Sequence, residues 1–197
     1  MPLLEGLIEN SWVEQRNWLP DSQVTELREW AQAARQRGDF RAAGIGRAAD
    51  KQAEVRGDEI LWIQPDQGAS LQKIWQAFEG LRLQLNQELY LGIDHFELHF
   101  AVYPPGRAYA AHIDQARGSH LLSGERVVSA VLYLNPDWQM VDAGELIILE
   151  SDQPKIESAR VMPLGGTLVL FRSDTILHEV RAPERERWSL TGWFRRR

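Results

Sequence analysis

The chain has 197 residues, no cysteine and a formal net charge of −6. That length fits one domain spanning residues 1–197 with a core of its own, and 44% hydrophobic against 25% charged residues excludes disorder, collagen and coiled coil. Without cysteine there are no disulfides, no Cys-ligated zinc, no iron–sulfur cluster and no thiol catalysis, so any metal must be held by His, Asp or Glu.

No apolar run approaches the roughly 18–20 residues that a membrane helix needs. The start carries Glu5 and Glu9 and lacks a basic n-region, so it does not read as a signal peptide, and the expected compartment is the cytoplasm. The bases are skewed to arginine, with only Lys51, Lys73 and Lys155 as lysines. The negative overall charge opposes nucleic acid as a partner. The one basic run, Arg195-Arg196-Arg197, reads as a solvated tail.

Residues 1–92 read as mainly helical support plus two strands. Pro20-Asp21-Ser22 is a helix-start signal, and Val24, Leu27, Trp30, Ala31 and Ala34 then form one stripe up to Gly38. A second helix opens near Ser70, carries Leu71, Ile74, Trp75, Phe78, Leu81, Leu85 and Leu89, and is closed by Gly92. Strands are expected near 40–46 and 58–63, joined by a polar, mobile segment over 47–52. Trp12, Trp18, Trp30, Trp62 and Trp75 read as core or helix–sheet packing.

From Phe96 the period changes to two. Phe96, Leu98, Phe100 and Val102 alternate with Glu97, His99, Ala101 and Tyr103, the mark of a strand. Further strands are expected near 107–114, 126–134, 145–150, 158–162, 166–172, 177–181 and 187–195, separated by turn signals such as Pro104-Pro105-Gly106 and Asn135-Pro136-Asp137. So many short strands point to a sandwich or jelly-roll over 93–197. The fold class is α+β, a jelly-roll barrel buttressed by N-terminal helices.

Three features of the β half carry chemistry. In His112-Ile113-Asp114 the first and third side chains share one face of a strand. His178 opens another strand. Two His and one carboxylate are the facial triad of non-haem Fe(II) oxygenases, which leaves coordination positions open. On the last strand, Arg187, Ser189, Thr191 and Trp193 share a face opposite Trp188, Leu190 and Phe194. An inward Arg is costly unless it meets an anion, and its planar fork suits a carboxylate. Arg185 has the same parity and rivals Arg187 for that role, but it lies in a charged turn.

With these residues in view, the chain resembles the prolyl-hydroxylase branch of the 2-oxoglutarate- and Fe(II)-dependent dioxygenases, closest to the hypoxia-inducible-factor type and its bacterial relatives. The resemblance covers residues 40–195. It rests on Arg56-Gly57-Asp58-Glu59-Ile60-Leu61-Trp62-Ile63, Tyr103-Pro104, His112-Ile113-Asp114, Tyr133-Leu134-Asn135-Pro136-Asp137-Trp138, Gly144, His178-Glu179-Val180, Arg187 and Thr191-Gly192-Trp193, in that order. It implies a double-stranded β-helix and a dioxygenase using Fe(II), 2-oxoglutarate and O2, stimulated by ascorbate. By resemblance, His112, Asp114 and His178 are the catalytic metal ligands. Arg187 holds the distal carboxylate of 2-oxoglutarate, helped by Tyr133 and Thr191, while Tyr103, Tyr109, Val180 and Trp193 line the pocket. Arg126 lies beside the target proline, and Asp58 positions the 47–52 segment over the substrate. The implied partner is a protein bearing a target proline, with elongation factor Tu suggested by the bacterial relatives, and 2-oxoglutarate goes to succinate and CO2.

The sequence departs from that pattern at three places. The stretch between Asp114 and Arg126 is longer, Glu145 replaces the second Gly of a Gly-Gly pair, and His99 stands where an apolar pocket residue is expected. His99 is either a hydrogen-bonding group behind the site or a structural one. Two other functions stay open: the same chemistry on a free amino acid, another small molecule or an alkylated base, for which Arg181 and Arg187 would be an Arg pair; or a non-catalytic jelly-roll that binds metal. Gly44-Ile45-Gly46-Arg47-Ala48-Ala49 opens no convincing helix and is not a dinucleotide site. His95 and His120 have no visible partners in the sequence.

Overall fold

The computed structural model describes residues 3–44, 56–115 and 124–197. The 47–52 segment, residues 45–49 of the glycine-containing string, and the stretch from 116 to 123 with His120 lie outside them. Three helices, α1 (Leu3–Asn10), α2 (Asp21–Gln36) and α3 (Ala69–Leu89), lie in the first half. The strands in chain order are β1 (Trp12–Gln15), β2 (Arg41–Ala42), β3 (Glu59–Trp62), β4 (His95–Tyr103), β5 (Tyr109–His112), β6 (Glu125–Tyr133), β7 (Leu146–Leu149), β8 (Glu157–Val161), β9 (Leu168–Arg172), β10 (Leu177–Val180) and β11 (Arg187–Arg196).

All strand pairs are antiparallel and form two sheets, one ordered β1-β9-β6-β11-β4-β3-β2 and the other β5-β10-β7-β8. Strands β4 to β11 alternate between the sheets except at the β7–β8 pair, which stays in the smaller one, an arrangement that agrees with the expected jelly-roll fold class.

The period-two pattern divides the larger sheet into two buried faces. Phe96, Leu98, Phe100 and Val102 of β4, Val128, Ala130 and Leu132 of β6, and Trp188, Leu190 and Phe194 of β11 pack with Leu27, Ala31, Leu71, Ile74 and Phe78 of the helices. Phe78 stacks on Phe194 at 6.0 Å and Trp30 on Phe100 at 5.6 Å. The intervening residues Ala101, Tyr103, Val131, Tyr133, Val169 and Phe171 face the smaller sheet's Leu146, Ile148, Val161 and Val180. The helices thus cover one side of the large sheet and leave the other to form a cavity between the sheets.

Three details differ from the sequence reading. Residues 1–92 supply three strands rather than two, because Trp12–Gln15 pairs with β9 at the sheet edge. Helix α3 ends at Tyr90, itself left-handed at φ 53°, before Gly92 is reached. Trp62 is 45% exposed rather than buried in the core. Gly192 of β11 has no room for a side chain: a Cβ there would collide with the Leu98 side chain and lie 2.9 Å from the Glu97 carbonyl, both on β4. Gly192→Ala should therefore destabilise the fold by about 1–3 kcal/mol, measurable by urea denaturation.

Candidate metal and co-substrate site

Antiparallel pairing of β10 with β5 sets His178 directly opposite His112. The chain turns after His112 so that Ile113 points outward, 39% exposed, and Asp114 turns back toward both imidazoles. One ligand atom from each of His112, Asp114 and His178 falls within 4.8 Å of the others. Among the described residues, this is the cluster of His, Asp and Glu able to hold a metal ion.

The surrounding bonds fix which atoms are available. His112 Nδ1 lies 2.8 Å from the Ala110 carbonyl, and His178 Nδ1 lies 3.1 Å from the Ile176 carbonyl. A carbonyl only accepts, so each Nδ1 carries the proton and each Nε2 keeps a lone pair for a metal. Asp114 Oδ2 accepts from Ser129 Oγ at 2.6 Å and from Trp193 Nε1 at 3.1 Å. Its Oδ1 faces His112 Nε2 at 3.4 Å. Ser173 Oγ stands 2.8 Å behind Ser129 Oγ. Since Ser129 spends its only proton on Asp114, Ser173 donates to Ser129.

Burial lowers His178 to about 4, against the raising effect of Asp114. Burial would raise Asp114, but the adjacent imidazoles of His112 and His178 and the Ser129 hydrogen bond together hold it well below the usual carboxylate range. The tyrosine ring of Tyr109 stacks on His112 at 3.7 Å, and Phe171 meets His178 at 4.6 Å.

Arg187 closes the far end of the same cavity. It is 2% exposed, and its Nε donates to the Gly144 carbonyl at 2.7 Å. A Cβ at Gly144, where φ is +74°, would approach the Arg187 Cδ to 3.2 Å. That glycine therefore lets the backbone carbonyl reach the guanidinium. The guanidinium lies over the Tyr103 and Tyr133 rings at 5.2 and 5.0 Å. The fully buried Tyr133 hydroxyl has no hydrogen-bond partner, and burial pushes it up to about 12 despite Arg187. A buried cation beside an unpartnered hydroxyl is a poor arrangement for an empty core and a good one for a carboxylate. The rival Arg185 lies outside, on Asp142 at 3.1 Å and over Trp138.

Of the remaining candidates, Asp58, Tyr103, Tyr109, Val180, Thr191 and Trp193 line the cavity with the triad and Arg187. Asp58 is held by Arg56 through bonds of 2.7 and 3.0 Å. The segment it was expected to position lies outside the described residues. Arg126 does not line the cavity; its guanidinium covers the Trp193 ring at 3.6 Å and donates to the Asp114 carbonyl at 3.2 Å. Arg56, Ser189 and Phe171 also line the wall. Sequence reasoning gave Arg56 and Phe171 no role and missed Ser129, although Ser129 shares strand parity with Tyr133.

Residues 98–195 match the family model described as the 2OG-Fe(II) oxygenase superfamily. A solved Pseudomonas putida prolyl-4-hydroxylase is 39% identical, with a TM-score of 0.87 over 99% of this chain and 97% of that one. The chain belongs to this superfamily. A Trichoplax adhaerens prolyl hydroxylase, solved with a hypoxia-inducible-factor oxygen degradation domain peptide, is 28% identical, with a TM-score of 0.85 over 98% of this chain and 87% of that one. A prolyl 3,4-dihydroxylase of Ostreococcus tauri is 32% identical over 94 residues, 39% of this chain and only 18% of that larger protein. The oxygenase is thus a 2-oxoglutarate-dependent dioxygenase of the prolyl hydroxylase type, using Fe(II), 2-oxoglutarate and O2. The donor set and the orphaned Tyr133 hydroxyl fit those groups. No helix among the described residues of the oxygenase is long and apolar enough to cross a membrane.

Two consequences can be measured directly. Ser129→Ala removes the shorter of the two hydrogen bonds to Asp114 Oδ2 and should weaken Fe(II) binding by about 10-fold, with Ser129→Thr restoring it. His99, fully buried and lowered from 6.5 to about 3, refuses a proton that the unfolded chain accepts. Stability should therefore fall as pH drops from about 6.5 toward 3, by about 1.4 kcal/mol per pH unit from this group. In the metal-free oxygenase His178 adds a like contribution down to about 4. Chemical denaturation across that range should show a shallower slope for His99→Met.

Proposed function

We propose that this oxygenase hydroxylates a prolyl residue within a protein, coupled to conversion of 2-oxoglutarate to succinate and CO2. The observation that carries this reading is the similarity to the Pseudomonas putida prolyl-4-hydroxylase along nearly the whole of both chains.

In this reading His112 and His178 would hold Fe(II) through Nε2 and Asp114 through Oδ1. Bound iron with 2-oxoglutarate and O2 supplies the oxidising chemistry. The chain orients the reactants and keeps water out. Arg187 would grip the distal carboxylate, and the Tyr133 and Thr191 hydroxyls would donate to it. Tyr103, Tyr109, Val180 and Trp193 would shape the walls around the co-substrate. Arg126, over the Trp193 ring, and Asp58, held by Arg56, would meet the substrate chain. The base-repair alternative loses support because Arg181 points outward, 55% exposed and paired with Glu179 at 3.0 Å.

The substrate test is direct. The protein, Fe(II), 2-oxoglutarate and ascorbate are incubated in air with proline-containing peptides, free proline and intact elongation factor Tu. A gain of one oxygen atom on a prolyl residue of a peptide or of the intact factor supports the proposal. Oxidation of free proline alone, or of no prolyl residue while succinate accumulates, overturns it.

A further inference from the structure

His99 lies on β4 among inward-facing residues and pairs across strands with Thr191 of β11 and Trp62 of β3. It is 1% exposed and lines the same cavity as the triad and Arg187. Its ring stacks against Trp193 at 5.1 Å and meets the tilted ring of Trp62 at 4.8 Å. Its Nδ1 is enclosed and has no hydrogen-bond partner. Between two indoles an apolar side chain would pack without the cost of burying an unsatisfied imidazole. The polar ring therefore has a use that the folded chain alone does not satisfy.

Position indicates what that use is. Arg187 pairs with Tyr103 and Thr191 with His99, so four residues of strand separate the two levels of the cavity. That is about 13 Å of strand. The Arg187 side chain and an extended dicarboxylate fill such a span. One cavity level beyond His99, Trp193 donates to Asp114, so His99 stands beside the metal end rather than the arginine end. If the enclosed Nδ1 keeps the lone pair, the neutral ring carries its proton on Nε2, the nitrogen not shut away from the cavity. It then has one N–H to donate.

We propose that His99 hydrogen-bonds the keto-acid end of 2-oxoglutarate, the end opposite to the one Arg187 holds. This rests on the reading of the cavity as the co-substrate site. His99 and Arg187 then grip the two ends of one molecule, and His99 adds a contact that an apolar residue at this position could not make. A charge-assisted bond of this kind is worth roughly tenfold in affinity.

The test uses the Fe(II)-loaded protein under anaerobic conditions, titrated with 2-oxoglutarate while the visible charge-transfer absorption of the chelate is followed. Appearance of that band in the unmodified protein establishes the co-substrate site independently of His99. His99→Met keeps the packing between Trp62 and Trp193 and removes the donor; His99→Gln keeps an N–H donor. The expected result is about tenfold weaker 2-oxoglutarate binding in His99→Met, recovery to within a few-fold in His99→Gln, and the same Fe(II) affinity in all three. Unchanged 2-oxoglutarate affinity in His99→Met would overturn the proposal, including where only the affinity for a proline-containing peptide changes. Equal losses in both variants, or a parallel loss of Fe(II), would overturn it as well, because they would show that packing is what matters.

Discussion

Arg187→Leu should weaken 2-oxoglutarate binding by about 100-fold while Fe(II) stays bound. The guanidinium is buried beneath the Tyr103 and Tyr133 rings, and its Nε bond to the Gly144 carbonyl fixes its direction without neutralising its charge. Leucine would leave the co-substrate carboxylate desolvated without a counter-charge. The same substitution should not lower the thermal stability of the co-substrate-free protein, because it removes a buried cation that has no carboxylate partner there. The thermal shift caused by added 2-oxoglutarate should nearly vanish. Calorimetric titration with a fixed concentration of Fe(II) reads the first effect, and paired melting curves read the second. A variant that loses metal and co-substrate together would contradict the assignment of Arg187 to the arginine end of the cavity.

His178→Ala should leave a folded chain that no longer retains Fe(II), with affinity down by more than about 100-fold. His178 is 5% exposed, and its tautomer is set by the Ile176 carbonyl. Its loss leaves His112 and Asp114, too few ligands for the facial arrangement. The cavity left beside Phe171 should cost some stability, so the measurement pairs metal content after gel filtration with a circular dichroism melt. Asp114→Ala should behave likewise, and retained turnover with that variant would dismantle the triad. His178→Ala also separates the metal from the co-substrate: its residual 2-oxoglutarate binding, through Arg187, should be weak and colourless.

Much of this architecture was legible because large-sheet strands such as β4 and β11 are buried on both faces, yet each face wants different residues. Phe96, Leu98, Phe100 and Val102 could be set on one face by period alone, with His99, Ala101 and Tyr103 opposite, and the fold shows that helices cover the first. The same parity put Arg187, Ser189, Thr191 and Trp193 together. Parity could not choose between Arg187 and Arg185; the fold chooses, since one guanidinium is enclosed and the other rests on Trp138. Strand β1 was missed because its four residues carry one buried side chain, Val13, and owe their conformation to β9, more than a hundred and fifty residues away. Ser129 was missed for a related reason. A serine within a hydrophobic strand has no signature until Asp114 is folded against it.

β11 is the middle strand of its sheet, with three strands on either side. It carries Arg187, Ser189, Thr191 and Trp193 on one face and the helix-packing residues on the other. The arginine side of the cavity is therefore carried by a strand with little freedom to change, since an alteration on either face disturbs the core. Trp62 of β3 and Ile113, by contrast, are exposed. In an oxygenase built this way, a change at an exposed side chain such as Trp62 leaves the strand pairing that carries Arg187 and Thr191 in place.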